Sequence, residues 1–303
     1  MTLSETERTP RVASTAVRFS VIVPCYNEEG AIAETLTHFV ETLGPQGDFE
    51  LIIVNDGSTD GTGAILNRYA AEHPGLRVMH HDRNRGYGAA LKTGIRVASG
   101  EYIAITDADG TYPNERVREL VDACADYDMV VGACTGDNVD YSKVRAIPKA
   151  FLRVWASWIA RQTIPDINSG MRVFRKDVAE TYLGILPDTF SFTLTITLAM
   201  LTSYRPVLFI PISYRHRVGK SKIKPIRDTL RFVVLIMRTG MYFAPLRVFF
   251  PVGLALFLLS VLSLARDLFI TQNLADTSVL LLVFTLNTLM MALLADMIDR
   301  RTR

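Results

Sequence analysis

The sequence predicts an α/β fold, a doubly wound Rossmann-like sheet with helices on both faces, followed by an interfacial amphipathic helix and a two-helix transmembrane hairpin. Three observations carry this. Short β-branched runs alternate with stretches of helical period through the first half of the 303 residues. The chain is 49% hydrophobic with a mean hydropathy of +0.20, too apolar for a purely water-soluble enzyme. That excess is local, lying in two charge-free stretches near the C-terminus, 248–265 and 277–295, each about as long as the ~20 residues that cross a bilayer as helix.

The opening "MTLSETERTPRVASTAVR" has no apolar core, so residues 1–17 are expected to be a disordered tail and not a signal peptide. Five runs then read as strands: "FSVIVP" (19–24), "FELIIVND" (49–56), "LRVMHH" (76–81), "EYIAITD" (101–107) and "YDMVVG" (127–132). Between them lie helical stripes, Ile32, Leu36, Phe39, Val40 and Leu43 after the first, and Val117, Leu120, Val121 and Cys124 after the fourth. Such alternation implies a parallel sheet covered on both faces. A soluble domain over 18–224 follows. Residues 225–244, "PIRDTLRFVVLIMRTGMYF" and Ala244, set Arg227, Arg231 and Arg238 against Leu230, Val233, Val234, Ile236 and Met237, the pattern of a helix lying in the membrane interface. The hairpin occupies 245–303. Lys and Arg before the first span and "DRRTR" after the second place both ends on the cytoplasmic side, making a multi-pass cytoplasmic-membrane protein with "RDLFITQNLAD" as the outer loop. Trp155 and Trp158 are candidates for the interface or for the core.

Ligands of doubly wound sheets bind outside the carboxyl ends of the strands, and three of those ends carry polar clusters. After the fourth strand, "ITDADGTYP" places Asp107 and Asp109 two residues apart, where extended backbone points both carboxylates the same way. Gly110 lets the chain turn away. Two carboxylates suit Mg²⁺ or Mn²⁺, which fills its shell with water and substrate phosphate oxygens, so this reads as a diphosphate site. A simple turn or helix cap is the alternative. After the second strand, "VNDGSTDGT" offers Asp56 to a base or ribose, with Asp60 or Thr62 capping the next helix. After the first, "PCYNEE" supplies Pro24 to stiffen the exit, Tyr26 as a flat face with a hydroxyl, and Glu28 or Glu29 to reach a ribose or to start the helix.

Taken in order, "VIVPCYNEE", "IIVNDGSTDGT", "NRGYGAALKTGIRVASGEYIAITDADGTYP" and "DINSGMRVFR" resemble family 2 glycosyltransferases, specifically the polyprenyl-phosphate sugar transferases such as dolichol-phosphate mannose synthases and bactoprenol glucosyltransferases. The resemblance covers residues 19 to 224. It implies a GT-A fold, a UDP- or GDP-linked sugar donor, a divalent metal, and inverting transfer of one sugar onto a polyprenyl (undecaprenyl or dolichyl) phosphate. Carried over by position, Pro24, Tyr26, Glu28 and Asp56 hold the nucleoside, Asp107 with Asp109 the metal diphosphate, and Lys92 with the glycines of "NRGYGAALKTG" line the same cleft. Two positions depart from the family's pattern. Thr111 stands where mannose synthases have Gln, and Cys134 where an Arg near the acceptor phosphate is common, leaving Lys143, Arg145 or Lys149 to serve instead.

The acceptor half also follows from charge. A lipid phosphate needs no strong base to attack a sugar carbon, but it approaches a donor that already carries a negative diphosphate, so the site needs cations. "KVRAIPK", "SGMRVFR" and "YRHRVGKSKIK" offer Arg145, Arg172, Arg217, Lys220 and Lys222, with Ser169 beside Arg172. The last run equally suits anionic headgroups. Asp166 is a candidate to steer the acceptor or act as base, or to pair structurally with Arg172.

The remaining features exclude more than they assign. A net charge of +2 leaves no nucleic-acid footprint. Cys25, Cys124 and Cys134 lack metal-ligand spacing and fit a reducing compartment. His80, His81 and His216 read as ordinary loop or sheet residues. Competing functions are a processive polysaccharide synthase, disfavoured by the lack of a Q-x-x-R-W motif and by only two spans, and a degenerate transferase acting as a nucleotide-binding membrane scaffold. Sugar identity, lipid length and self-association stay open.

Overall fold

The structure, a computed structural model, describes residues 17–44, 47–73, 75–135, 153–167, 169–213, 233–234 and 237–302. Seven strands form one sheet: β1 (Phe19–Cys25), β2 (Phe49–Asn55), β3 (Leu76–His80), β4 (Tyr102–Ile105), β5 (Met129–Cys134), β6 (Arg172–Arg175) and β7 (Val207–Ile212), in the spatial order β3-β2-β1-β4-β6-β5-β7. The five strands expected from sequence are all present, and β6 and β7 join them.

Period-2 geometry explains how β1 and β2 are buried on both sides. Phe19, Val21, Val23 and Cys25 pack with Leu51 and Ile53 into one core, under α1 (Ile32–Leu43), α2 (Thr62–Glu72) and α4 (Val117–Ala123). Ile22, Ile52 and Val54 face the other core, with α3 (Tyr87–Val97), α5 (153–160), α6 (Lys176–Tyr182) and α7 (Phe192–Thr202). The α1 stripe is as expected at Ile32, Leu36, Phe39 and Leu43, while Val40 is turned outward. Helix α7 is buried all round. Its Thr195, Thr197 and Thr202 hydroxyls donate to carbonyls one turn back, so they need no water.

One expectation needs correction: the sheet is mixed. Strand β6 runs antiparallel to both β4 and β5, with Ile105 opposite Arg172 and Val130 opposite Val173. Being antiparallel to β5, β6 starts at the carboxyl edge where β5 ends. Arg172 thereby begins its strand at the carboxyl edge of the parallel strands.

Beyond α8 (237–243) come α9 (Pro245–Arg266) and α10 (Asp276–Thr302), long and apolar enough to cross a membrane, their most apolar 18-residue stretches having mean hydropathies of 2.4 and 2.2. They pack side by side. At the hairpin tip the buried Asp267 accepts hydrogen bonds from the Ser278 hydroxyl (2.6 Å) and the Ala275 N–H (2.9 Å), which closes the turn. At its base, Val248 is buried in the α3-side core, and the Arg247 guanidinium donates to the Ile159 carbonyl of α5.

Candidate active site

The strand order puts β2, β1 and β4 next to one another, so the three polar clusters share one edge of the sheet. Asp56 follows β2 and is 3% exposed. Its Oδ1 accepts from the Arg85 N–H (2.8 Å) and lies 2.7 Å from His81 Nδ1, while Oδ2 accepts from the Gly86 N–H (2.8 Å). The other His81 nitrogen lies 2.9 Å from the Thr93 hydroxyl. Asp56 therefore ties the 81–86 segment to the sheet, and His81 is a structural partner of the site that its sequence context did not reveal.

The β1 and β2 exits are clasped together. Asn27, in left-handed backbone at φ 54°, accepts the Thr59 N–H (2.8 Å) and donates its own N–H to Ser58 (3.0 Å). Glu28 donates its N–H to the Thr62 hydroxyl (2.9 Å), and its carbonyl begins α1 by accepting from Ile32 (2.9 Å). The Glu29 carboxylate reaches across to α2, accepting the Gly61 N–H (2.6 Å) at its start. Asp60 caps as expected, accepting from the Thr62 N–H (3.0 Å) and hydroxyl (2.5 Å). Tyr26 stands half exposed beside this clasp.

Past β4, Asp109 accepts from the Thr111 N–H (3.2 Å) and hydroxyl (2.7 Å), and Gly110 turns the chain at φ +69°. Thr111 thus orients the Asp109 carboxylate. Asp107 accepts the Tyr87 hydroxyl (3.1 Å). Burial, then the neighbouring Asp107 charge, pushes the Tyr87 phenol well above its ordinary range, so it stays a donor at physiological pH. Behind Asp107 lies Gly170, whose N–H donates to the Tyr112 hydroxyl (2.6 Å). Among the described residues no cluster of three His, Cys, Asp or Glu side chains forms a cage. What the chain offers is an oxygen-only carboxylate pair, a donor set that fits Mg²⁺ or Mn²⁺ sharing its shell with phosphate.

Arg172, expected at the acceptor phosphate, is 0% exposed. Its guanidinium donates to the Thr193 carbonyl (2.7 Å) and the Thr197 hydroxyl (2.8 Å) of α7, and to the Ser169 carbonyl. Burial lowers its pKa, opposed by the nearby Tyr87, Tyr112, Asp166 and Asp107. The assignment is corrected accordingly: Arg172 touches no solvent and braces the turn that backs Asp107. Ser169 is equally inward, donating to the Gly132 carbonyl (2.5 Å). Asp166 is 4% exposed and accepts the Cys134 N–H (3.2 Å), linking its loop to the end of β5. Arg145, Arg217 and Lys222, with Lys143, Lys149 and Lys220, lie outside the described residues.

The glycines of "NRGYGAALKTG" serve backbone packing. A β-carbon at Gly86 would sit 2.3 Å from the Asp188 carbonyl oxygen, and one at Gly88 2.1 Å from that of Pro187. Only glycine lets α3 meet the 187–190 segment so closely. Lys92, read as lining the cleft, donates to Asp188 (2.8 Å) and secures the same contact. Phe190 stacks on Tyr87 at 5.1 Å between ring centroids and 13° between planes.

Sequence reading placed Asp56, Asp107 and Asp109 at strand ends, where the structure has them, and did not point to Tyr87, Gly170 or His81, which contact them. Tyr87 carried one signal, an aromatic flanked by glycines at the start of a helix.

Comparison with known proteins agrees with this architecture. The model of glycosyl transferase family 2 matches residues 20–183, and that of the GtrB C-terminal hairpin matches residues 244–300. A glycosyltransferase named AglD from Haloferax volcanii is 30% identical over 244 residues, which cover 77% of this chain and 39% of that protein. The chain thus spans about two fifths of that relative. A dolichyl-phosphate hexose transferase from the same organism is 32% identical over 209 residues, 68% of this chain and 86% of its own length. Among solved structures, glucosyl-3-phosphoglycerate synthase from Mycobacterium tuberculosis, crystallised with Mn²⁺, uridine diphosphate and glucosyl-3-phosphoglycerate, superposes with a TM-score of 0.55 at 17% identity. That match covers 78% of this chain and 86% of the synthase, a likeness of fold.

Proposed function

Because this chain belongs to glycosyl transferase family 2, we propose that it transfers a single sugar from an NDP-sugar to a polyprenyl phosphate at the cytoplasmic face of a membrane. The observation that carries the reading is the convergence of Asp56, Asp107 and Asp109 on one sheet edge, in a chain that ends in two membrane-length helices. The dolichyl-phosphate hexose transferase named above supports the acceptor class.

In this reading Pro24, Tyr26, Glu28 and Asp56 receive the nucleoside, and Asp107 with Asp109 would hold Mg²⁺ or Mn²⁺ against the diphosphate. When bound, the ion supplies charge stabilisation to the leaving group. Tyr87 donates its hydroxyl to Asp107 and so aims the carboxylate. The lipid phosphate oxygen attacks the anomeric carbon from the side opposite the diphosphate. The new carbon–oxygen bond forms as the old one breaks, its electron pair departing with the nucleoside diphosphate and the anomeric configuration inverting. No proton need be removed, since the phosphate is already ionised. Asp166 then has a positioning role through β5. Arg145, Arg217 and Lys222 remain the proposed acceptor cations. The proposed organisation is a catalytic unit over 18–224, an interfacial helix over 225–244 and a membrane hairpin over 245–303.

Incubating membranes that contain the protein with radiolabelled UDP- and GDP-sugars and polyprenyl phosphate should move label into an organic-extractable monoglycosyl lipid. Label in a long polymer would favour a processive synthase, and nucleotide binding with no labelled product a scaffold.

A further inference from the structure

We infer that the outer face of Phe190 is an apolar subsite that seats the first isoprene units of the lipid acceptor. This rests on the polyprenyl-phosphate reading and names the part of the site that meets the chain.

Phe190 is 76% exposed, yet it belongs to an anchored segment. The Gly86 and Gly88 backbone contacts, the Ala89 N–H to the Asp188 carbonyl (3.2 Å) and the Lys92–Asp188 ion pair (2.8 Å) hold it against α3. One ring face lies on Tyr87 and the other meets solvent. The Tyr87 hydroxyl in turn donates to Asp107 (3.1 Å), so the phenylalanine sits one ring away from the residue assigned to the diphosphate.

A phenylalanine held in place on Tyr87, beside Asp107, gains hydrophobic free energy when an apolar group covers its outer face. The acceptor phosphate must reach the anomeric carbon next to that diphosphate, and the carbon chain joined to the phosphate must then pass within a few ångströms of it. Phenylalanine has no polar tip with which to choose among sugar hydroxyls, whereas branched C5 units match its flat apolar face. The occupant that follows is the α-end of the isoprenoid.

The test uses the full chain in detergent micelles, titrated calorimetrically with farnesyl phosphate, methyl phosphate, and UDP or GDP with Mn²⁺, alongside transfer assays. Phe190→Ser should weaken farnesyl phosphate about 10-fold and leave methyl phosphate and nucleotide within about 2-fold, as expected for loss of one apolar contact. Phe190→Leu, which keeps the apolar area, should stay within about 3-fold of wild type. Tyr87→Phe should do the reverse, weakening nucleotide with Mn²⁺ and sparing farnesyl phosphate. Unchanged farnesyl phosphate affinity in Phe190→Ser, or loss of nucleotide affinity in its place, would overturn the subsite. A wild-type protein that binds farnesyl phosphate through Phe190 but transfers no sugar would uphold the subsite and sink the transferase reading. One that transfers sugar with a lipid KM indifferent to Phe190→Ser would do the opposite.

Discussion

Gly170 stands directly behind Asp107: a β-carbon on it would lie 3.0 Å from both carboxylate oxygens. That separation is tighter than ordinary van der Waals contact, so a side chain there must push Asp107 forward. Gly170→Ala should therefore lower transfer by about 10- to 100-fold through misplacement of the carboxylate, with little change in melting temperature. Initial rates, calorimetric NDP affinity in Mn²⁺ and a thermal melt check it together. Unaltered rates would show that Asp107 tolerates displacement and does not position the diphosphate.

Asp109→Asn should abolish transfer, and Asp107→Asn should weaken nucleotide binding, since each removes one charged oxygen ligand from the proposed metal ion, and with it several kcal/mol of charge stabilisation on the leaving diphosphate. Nucleotide titration with and without EDTA measures this. Full activity of Asp109→Asn in excess chelator would exclude the metal role.

Arg172→Ala should be a stability defect. Its guanidinium is buried and bonded to Thr193, Thr197 and Ser169, so truncation takes a donor from the Thr197 hydroxyl and the Ser169 carbonyl at a cost of about 1–3 kcal/mol each. A loss of about 2–5 kcal/mol corresponds to a fall in Tm of roughly 4–20 °C. Differential scanning calorimetry reads it. A normal Tm with a raised lipid KM would restore the phosphate-contact role that burial argues against.

Cys25 and Cys124 should resist alkylation in the native protein. Burial pushes both thiols up to about 12, helped at Cys25 by the negative Glu28 and Asp60. At pH 8 the thiolate fraction is then on the order of 10⁻⁴, and the thiolate is the reactive form. Mass spectrometry after N-ethylmaleimide treatment should find them unmodified until denaturant is added. Rapid native labelling of Cys25 would mean that the β1 exit opens.

Removing the hairpin should preserve nucleotide binding, provided the cut respects the packing at its base. Val248 is buried in the core and Arg247 bonds to Ile159, so a chain ending at residue 252 should match full-length nucleotide affinity, whereas one ending at 244 should melt lower. Burying a valine contributes about 1.5–3 kcal/mol. Loss of nucleotide binding in the longer truncation would make the spans part of the donor fold.

The five strands, the carboxylates at their ends and the two apolar spans were legible in the sequence, because burial periodicity and strand-end polarity are local patterns. Even Asp60 as a helix cap could be read from its own turn. Glu29 could not, since the helix it stabilises is α2, reached only because β1 and β2 lie side by side.

By itself, then, the sequence determined five of the seven strands, the α1 and α4 stripes and the two long apolar helices, and which carboxylates stand at the carboxyl ends of those strands, since spacing along the backbone dictates the side a residue faces. Only the tertiary structure decided what those residues touch. Arg172 looked like a phosphate ligand because arginine after a turn usually meets solvent. The antiparallel entry of β6 turned it into the core, where α7 carbonyls and hydroxyls replace water around the charge. Tyr87, Gly170 and Phe190 gained their places around Asp107 from contacts between residues far apart in the chain, such as Tyr87 to Asp107 and Phe190 to Tyr87. Hydrogen bonds and close packing depend on distances in space that no local pattern encodes.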